Sequence, residues 1–206
     1  MIVHTLVLGP AQTNCYLIAD EQTRQAVVID PSWSADVILA EARSANLTIE
    51  LILITHGHFD HIGAAAEVHE ATGAPIVVHA REVALLQADG GAARFGFKIR
   101  SVPPPDQLVR HGEEIVLGAL SFEVRAVPGH TVGHVAYIEH QEHAAFVGDV
   151  LFMGSIGRTD LPGGSYDTLI ASITDQLLTL PDDFVVYSGH GPPTTIGAER
   201  ATNPFL

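Results

Sequence analysis

In Leu51-Ile52-Leu53-Ile54-Thr55-His56-Gly57-His58-Phe59-Asp60-His61, an apolar run passes directly into a polar cluster. The first four residues have the pattern of a strand buried on both faces. The residues after them place three imidazoles and a carboxylate at that strand's carboxyl end. His56 and His58 are two apart, so an extended segment puts them on one side. Asp60 and His61 follow at the entry to the next helix and can turn toward a second point.

Three more apolar runs end in the same way. Phe122–Val127 leads into Pro128-Gly129-His130. Ala144–Val147 leads into Gly148-Asp149, and Phe184–Tyr187 into Ser188-Gly189-His190-Gly191. In open α/β sheets, ligands gather outside the carboxyl ends of strands. The neighbouring glycines let the backbone turn sharply there. The candidate donors are therefore His56, His58, Asp60, His61, His130, Asp149 and His190. Five imidazoles and two carboxylates suit borderline divalent ions such as zinc, iron or manganese. Seven donors are too many for one tetrahedral ion, whereas two ions with a shared carboxylate fit.

Around these clusters the chain reads as alternating strands and helices. Ile2–Leu8, Cys15–Ala19, Ala26–Ile29, Ile76–Val78, Ile115–Leu117 and Val135–Ile138 read as further strands. Helices are expected from a Ser34 cap, over Ile62–Thr72, over Arg81–Ala88, and from about Tyr166 to Leu180. Gly90 to Pro105 reads as a long surface loop, and the tail after His190 as turn-rich. Residues 1–206 are taken as one α/β domain.

Composition narrows the function classes. The chain has 206 residues, 47% hydrophobic and 17% charged, which is ordinary globular usage. Its formal net charge of −14 argues against nucleic acid as the main partner. A single cysteine, Cys15, permits no intrachain disulfide and fits a reducing, cytoplasmic setting. No apolar run approaches the roughly 20 residues that cross a bilayer, and the N-terminus lacks the features of a signal peptide. The sequence carries no signal for oligomeric state. Histidine is unusually frequent at 12 residues, more than Lys and Arg together at 10.

The order His56-x-His58-x-Asp60-His61, then His130, Asp149 and His190, resembles the metallo-β-lactamase superfamily. The resemblance implies a four-layer αβ/βα sandwich. It also implies His56, His58 and His130 on one ion, Asp60, His61 and His190 on the other, and Asp149 bridging. Asn14-Cys15-Tyr16, Pro128-Gly129-His130-Thr131, Gly157-Arg158-Thr159-Asp160 and Gly189-His190-Gly191-Pro192 are similar to the glyoxalase II-like thioesterases of the short bacterial type. Long members of that branch carry a C-terminal helical domain that grips glutathione, and no such segment follows His190 here. The reaction implied is hydrolysis of an S-acylglutathione, such as S-lactoylglutathione, by a metal-bridging hydroxide. Two divalent ions, zinc or else iron or manganese, would be the cofactors. The partner would be a small-molecule thioester. Asp149 and Asp60 are the catalytic carboxylates, with Asp60 a hydrogen-bond partner of the hydroxide. Other enzymes of the same fold define the alternatives: a mononuclear iron persulfide dioxygenase using His56, His130 and Asp149, or a lactone or β-lactam hydrolase.

Supporting roles attach to fewer residues. Arg158 is expected to pair with a ligand carboxylate such as Asp60, and His134 to support the site from behind. Arg94, Lys98 and Arg100, beside Phe95 and Phe97, form a cationic patch in a stretch without Asp or Glu, placed to attract an anionic thiol. His4, His69, His79, His111, His140 and His143 read as structural histidines, and Cys15 as a small buried hydrophobe.

Overall fold

The computed structural model describes all residues, Met1–Leu206. They form two compact units: Met1–Val109 with Val116–Leu120, and Arg110–Ile115 with Ser121–Leu206.

The first unit is built on a six-stranded sheet in the order β1-β2-β3-β4-β5-β6. The strands are β1 Ile2–Leu8, β2 Thr13–Ala19, β3 Gln25–Ile29, β4 Thr48–Leu53, β5 Ile76–His79 and β6 Gln107–Val109. β1, β2 and β3 run antiparallel, and β3 through β6 run parallel. Helices α1 (Ala35–Ser44) and α3 (Ala65–Thr72) supply Ile38, Ala42, Ala65 and Val68 to the same core as Leu17, Val28, Ile52 and Ile76. Ile52, Leu53 and Ile54 have no exposed surface, as the continuous apolar run predicts. Because β3 and β4 are parallel, Asp30 and the His56 cluster leave the sheet at one edge.

Local reading and structure differ at the helix starts. Ser34 precedes α1 with φ 54°, and its side chain caps nothing. A capping hydroxyl needs an extended backbone, which Ser34 does not have. The helix expected over Ile62–Thr72 is broken into α2 (Phe59–Ile62) and α3. The break is tertiary: the Ala64 amide donates to the Pro31 carbonyl at 2.9 Å instead of continuing α2. Arg81–Ala88 divides into a 3₁₀ turn, Ala80–Glu82, and α4, Val83–Gln87. The expected loop begins with a second 3₁₀ turn, Asp89–Phe95, and is irregular from there to Asp106.

The second unit is built on a sheet in the order β14-β13-β10-β9-β8-β7. These strands are β7 Glu114–Leu117, β8 Leu120–Ala126, β9 Val135–Glu139, β10 Ala144–Gly148, β13 Val185–Ser188 and β14 Thr194–Thr195. A short hairpin, β11 (Leu151–Phe152) with β12 (Ser155–Ile156), leaves β10. Helix α5 (Tyr166–Ser172) runs into a π turn at Ile173–Leu177, and α6 (Ile196–Thr202) occupies the tail read as turns. Leu169, Ile173, Leu177 and Ile196 pack with Ala136, Ile138, Ala145 and Val186 in one core. Each unit is thus one sheet with one helical layer. No helix is long and apolar enough to cross a membrane.

Candidate metal centre

Four of the seven expected donors belong to the first unit and three to the second. In the first, His56, His58 and His61 converge: the His56 ring lies 4.9 Å from that of His58 and 4.1 Å from that of His61. His61 Nε2 is 3.7 Å from the Asp60 carboxylate, and Thr13 Oγ1 donates to Asp60 Oδ2 at 3.2 Å.

Two residues that the sequence reading did not single out hold this cluster. The first is Asp30, buried at the end of β3. Its carboxylate accepts from the Thr55 amide at 2.8 Å, from Thr55 Oγ1 at 2.6 Å and from His61 Nδ1 at 2.8 Å. The bond to Asp30 puts the proton of His61 on Nδ1 and turns the Nε2 lone pair the other way, which is how a carboxylate prepares a histidine ligand. Asp30, His56 and His61 bring ligand atoms within 4.8 Å of one another. The second is Glu82, fully buried, whose Oε2 accepts from the Gly57 amide at 2.7 Å, between His56 and His58. Their only sequence signals are an acidic residue before Pro31 and a Glu beside an apolar helix.

In the second unit, strand directions bring the donors together. β10 and β13 are adjacent and parallel, so Asp149 and His190 emerge side by side, with the Gly189 amide bonded to the Gly148 carbonyl at 2.8 Å. β8 and β10 both run antiparallel to β9, so His130 emerges at the same edge. His130 Nε2 and His190 Nε2 lie 3.7 Å and 3.5 Å from one oxygen of Asp149, Oδ2. Gly129 makes the turn into His130 at φ 133°, where a Cβ would run into Leu169.

His130 Nδ1 donates to the Arg158 carbonyl at 2.8 Å, which again turns Nε2 toward Asp149. Arg158 therefore supports the site through its backbone. Its guanidinium does not pair with a ligand carboxylate; it makes a two-pronged pair with Asp160 at 2.7 Å. Asp160 lies two residues away, and a local bidentate pair needs little chain ordering. That guanidinium holds the Asp160 carboxyl down at about 2. His134, fully buried, accepts the Asp149 amide at 3.1 Å on Nε2 and fixes the backbone beneath that carboxylate.

The cationic patch is partly neutralised. Arg100 pairs with Glu70 at 2.5 Å. Lys98 and Arg100 line a cavity of about 390 Å³ with Trp33, Asp36 and Glu67, whereas Arg94 is exposed and is not among its walls. Phe95 and Phe97 stack on the Phe59 ring at 5.2 and 5.3 Å. Gly90, at φ 60°, lies so close to the Gly57–Phe59 backbone that a Cβ would overlap it. The segment is thus fastened to the histidine loop. The remaining histidines have local partners, including His4 with Glu41, His140 with Glu123 and His143 with Asp183, each at 2.7 Å. Burial pushes the Cys15 thiol well above its ordinary range, and the Asp30 charge pushes the same way. Cys15 is therefore a buried hydrophobe with no thiolate to offer.

Imidazoles with their Nδ1 protons committed, arranged about carboxylates, fit borderline divalent ions. Comparison with known proteins agrees. Residues 8–190 match the family model of the metallo-beta-lactamase superfamily. Hydroxyacylglutathione hydrolase GloC of Haemophilus influenzae is 42% identical, over 100% of this chain and 98% of the relative. The crystal structure of BLEG-1 B3 metallo-beta-lactamase aligns with a TM-score of 0.95 at 41% identity, covering 100% of this chain and 99% of that one. TTHA1623 in a di-iron-bound form aligns at 0.92 and 40%, covering 99% and 100%. ETHE1 from Myxococcus xanthus aligns at 0.82 and 36%, covering 99% and 84%.

Proposed function

Since the chain belongs to the metallo-beta-lactamase superfamily and is a metallo-hydrolase of that group, we propose that it cleaves S-acylglutathione thioesters, S-lactoylglutathione among them, in the cytoplasm. The observation that carries this reading is Asp149 Oδ2 facing the Nε2 atoms of both His130 and His190. That placement supports a carboxylate shared between two ions. The GloC relative supports the thioester substrate by its name.

In this reading His56, His58 and His130 would hold one ion and Asp60, His61 and His190 a second, with Asp149 available to both. When bound, the ions supply Lewis acidity and bring the pKa of water from about 15.7 to ~7. The protein's own groups do the positioning. Asp30 and the Arg158 carbonyl orient His61 and His130, and His134 fixes the Asp149 backbone. Asp60 accepts a hydrogen bond from the attacking water and aims its oxygen at the acyl carbon. That C–O bond forms as the C–S bond breaks, and the departing thiolate takes up a proton. The products are the carboxylic acid and free thiol.

A second reading, hydrolysis of a β-lactam, is favoured by the likeness to BLEG-1. One panel decides between them: S-lactoylglutathione, a lactone, nitrocefin, and glutathione persulfide with oxygen uptake, run beside metal analysis of the same preparation. Thioester turnover that chelation abolishes and zinc, iron or manganese restores is the expected result. Turnover of nitrocefin or persulfide without thioester hydrolysis overturns the proposal.

A further inference from the structure

The tail helix carries a buried carboxylate that the proposed chemistry leaves without a role. Glu199, in α6, is 2% exposed. Its Oε1 accepts from Thr194 Oγ1 at 2.6 Å, and its Oε2 accepts from the Gly154 amide at 2.9 Å and from Asn203 Nδ2 at 2.7 Å. Burying a carboxylate is costly unless its oxygens are matched. Here the matching donors are all neutral, and they come from three separate stretches of chain. Thr194 opens β14, Asn203 ends α6, and Gly154 turns the β11–β12 hairpin, whose Ser155 carbonyl accepts from Asn203 Nδ2 at 3.0 Å.

These stretches flank His190. The turn that carries it joins β13 to β14, which pair antiparallel through Val186 and Thr194. Thr194 closes that turn on one side. On the other side, Ser188 Oγ donates at 2.7 Å to the carbonyl of Leu151, where the same hairpin begins. The hairpin's Phe152 ring lies 6.2 Å from that of His190. One hairpin therefore grips His190 before and after: directly through Ser188, and through Glu199 by way of Thr194. Helix α6 can anchor the second link because it is fixed itself. Ile196 has no exposed surface, and Arg200 donates to the Leu178 and Leu180 carbonyls at 2.7 and 3.0 Å. Groups carried on a fixed element hold a site more precisely than groups on loops.

We propose that Glu199 is a positioning residue that sets where His190 stands relative to Asp149, and so how tightly the second ion is held. The inference rests on the two-ion reading of the centre and extends it to the tail. The link depends on geometry and not on charge. E199Q can turn its amide oxygen toward Gly154 and Asn203 and its amide nitrogen toward Thr194 Oγ1, because a hydroxyl accepts as well as donates. E199A reaches none of the three, and T194V breaks only the link on the His190 side.

Zinc binding to metal-stripped full-length protein, followed by competition with a chromogenic chelator, tests the proposal, with folding checked by circular dichroism. E199A and T194V should each loosen one of two zinc ions about tenfold, the low end for a residue that orients a ligand, and E199Q should restore the affinity. In an H190A background neither E199A nor T194V should loosen zinc further, because residues acting through one another do not add. Equal loosening with and without His190, loss of both ions alike, or E199Q as weak as E199A overturns the proposal; should E199A fail to fold, T194V decides. A wild type that holds one zinc overturns the two-ion reading. The role of Glu199 then stands if T194V loosens that ion only when His190 is present, and falls otherwise. S-lactoylglutathione turnover is measured on the same zinc-loaded samples. The expected zinc pattern without turnover supports Glu199 and overturns the thioesterase reading, whereas turnover without the pattern overturns Glu199 alone.

Discussion

Truncating Asp30 tests the carboxylate on which the first donor cluster is hung. Its side chain accepts three hydrogen bonds, from the Thr55 amide, the Thr55 hydroxyl and His61 Nδ1, and it is buried. D30A leaves three buried donors unmatched, at ~1–3 kcal/mol each. Taking the lower half of that range, the loss is about 3–6 kcal/mol, against a typical total of ~5–15 kcal/mol. For a chain of this size, each kcal/mol lowers Tm by about 2–4 °C, so a fall of about 6–24 °C is expected. Asp30 also sits at φ 51°, where an L-residue costs roughly 1–2 kcal/mol and glycine costs nothing. D30G should therefore recover part of the loss that D30A shows, while D30N, which keeps one acceptor, should fall between wild type and D30A. Because His61 would lose the bond that fixes its ring, metal affinity should drop about 10–100-fold in D30A. Thermal unfolding followed by circular dichroism reads the first effect, and competition with a chromogenic chelator reads the second. A D30A protein that melts within about 2 °C of wild type and retains metal equally would refute the reasoning.

Other perturbations give sharper signs. E82A should weaken metal retention more than it lowers Tm, because the lost bond holds the Gly57 amide between two donors. Equal loss of metal in E82A and in a destabilised core variant of matched Tm would count against that. G157A should disturb the second cluster, since a Cβ there would overlap the Asp149 carbonyl and lie 3.5 Å from His130 Nδ1. The readout is metal stoichiometry by mass spectrometry, expected to fall below that of wild type. Glu123 shows the pH effect. Burial raises its pKa, but hydrogen bonds from Arg125 and His140 outweigh burial and hold the carboxyl below the usual range. A depressed carboxyl stabilises the fold above its unfolded value of ~4.3 and loses that contribution as pH falls through the folded value. Carboxyl NMR titration of R125Q should return Glu123 toward ~4.3, and an unshifted midpoint would contradict the assignment.

What the sequence made legible follows from how local each feature is. β2 through β5 and β8 through β10 were readable because each is an apolar run of strand length, buried on at least one face. β6 was not: Leu108 is 51% exposed, and its pairing with Val78 lies thirty residues away in sequence. α6 was missed because its signal is a single cap, Thr195 Oγ1 accepting the Ala198 amide, followed by a glycine. The donors were legible for a different reason. Each follows its own strand, so reading the strand end finds the donor without knowledge of the fold. The residues that aim the donors lie far off in sequence: Asp30 is 31 residues from His61, Glu82 is 25 from Gly57, and the Arg158 carbonyl is 28 from His130. Only the fold brings these pairs together, and no spacing rule anticipates them. Arg158 shows the same point in reverse. A cation near a candidate metal site suggests a charged partner among the donors, yet Asp160, two residues on, satisfies the guanidinium locally, and His130 is held by a carbonyl that any residue would supply. Replacing the Arg158 side chain should therefore disturb His130 far less than G157A does, and that ordering separates backbone support from charge support.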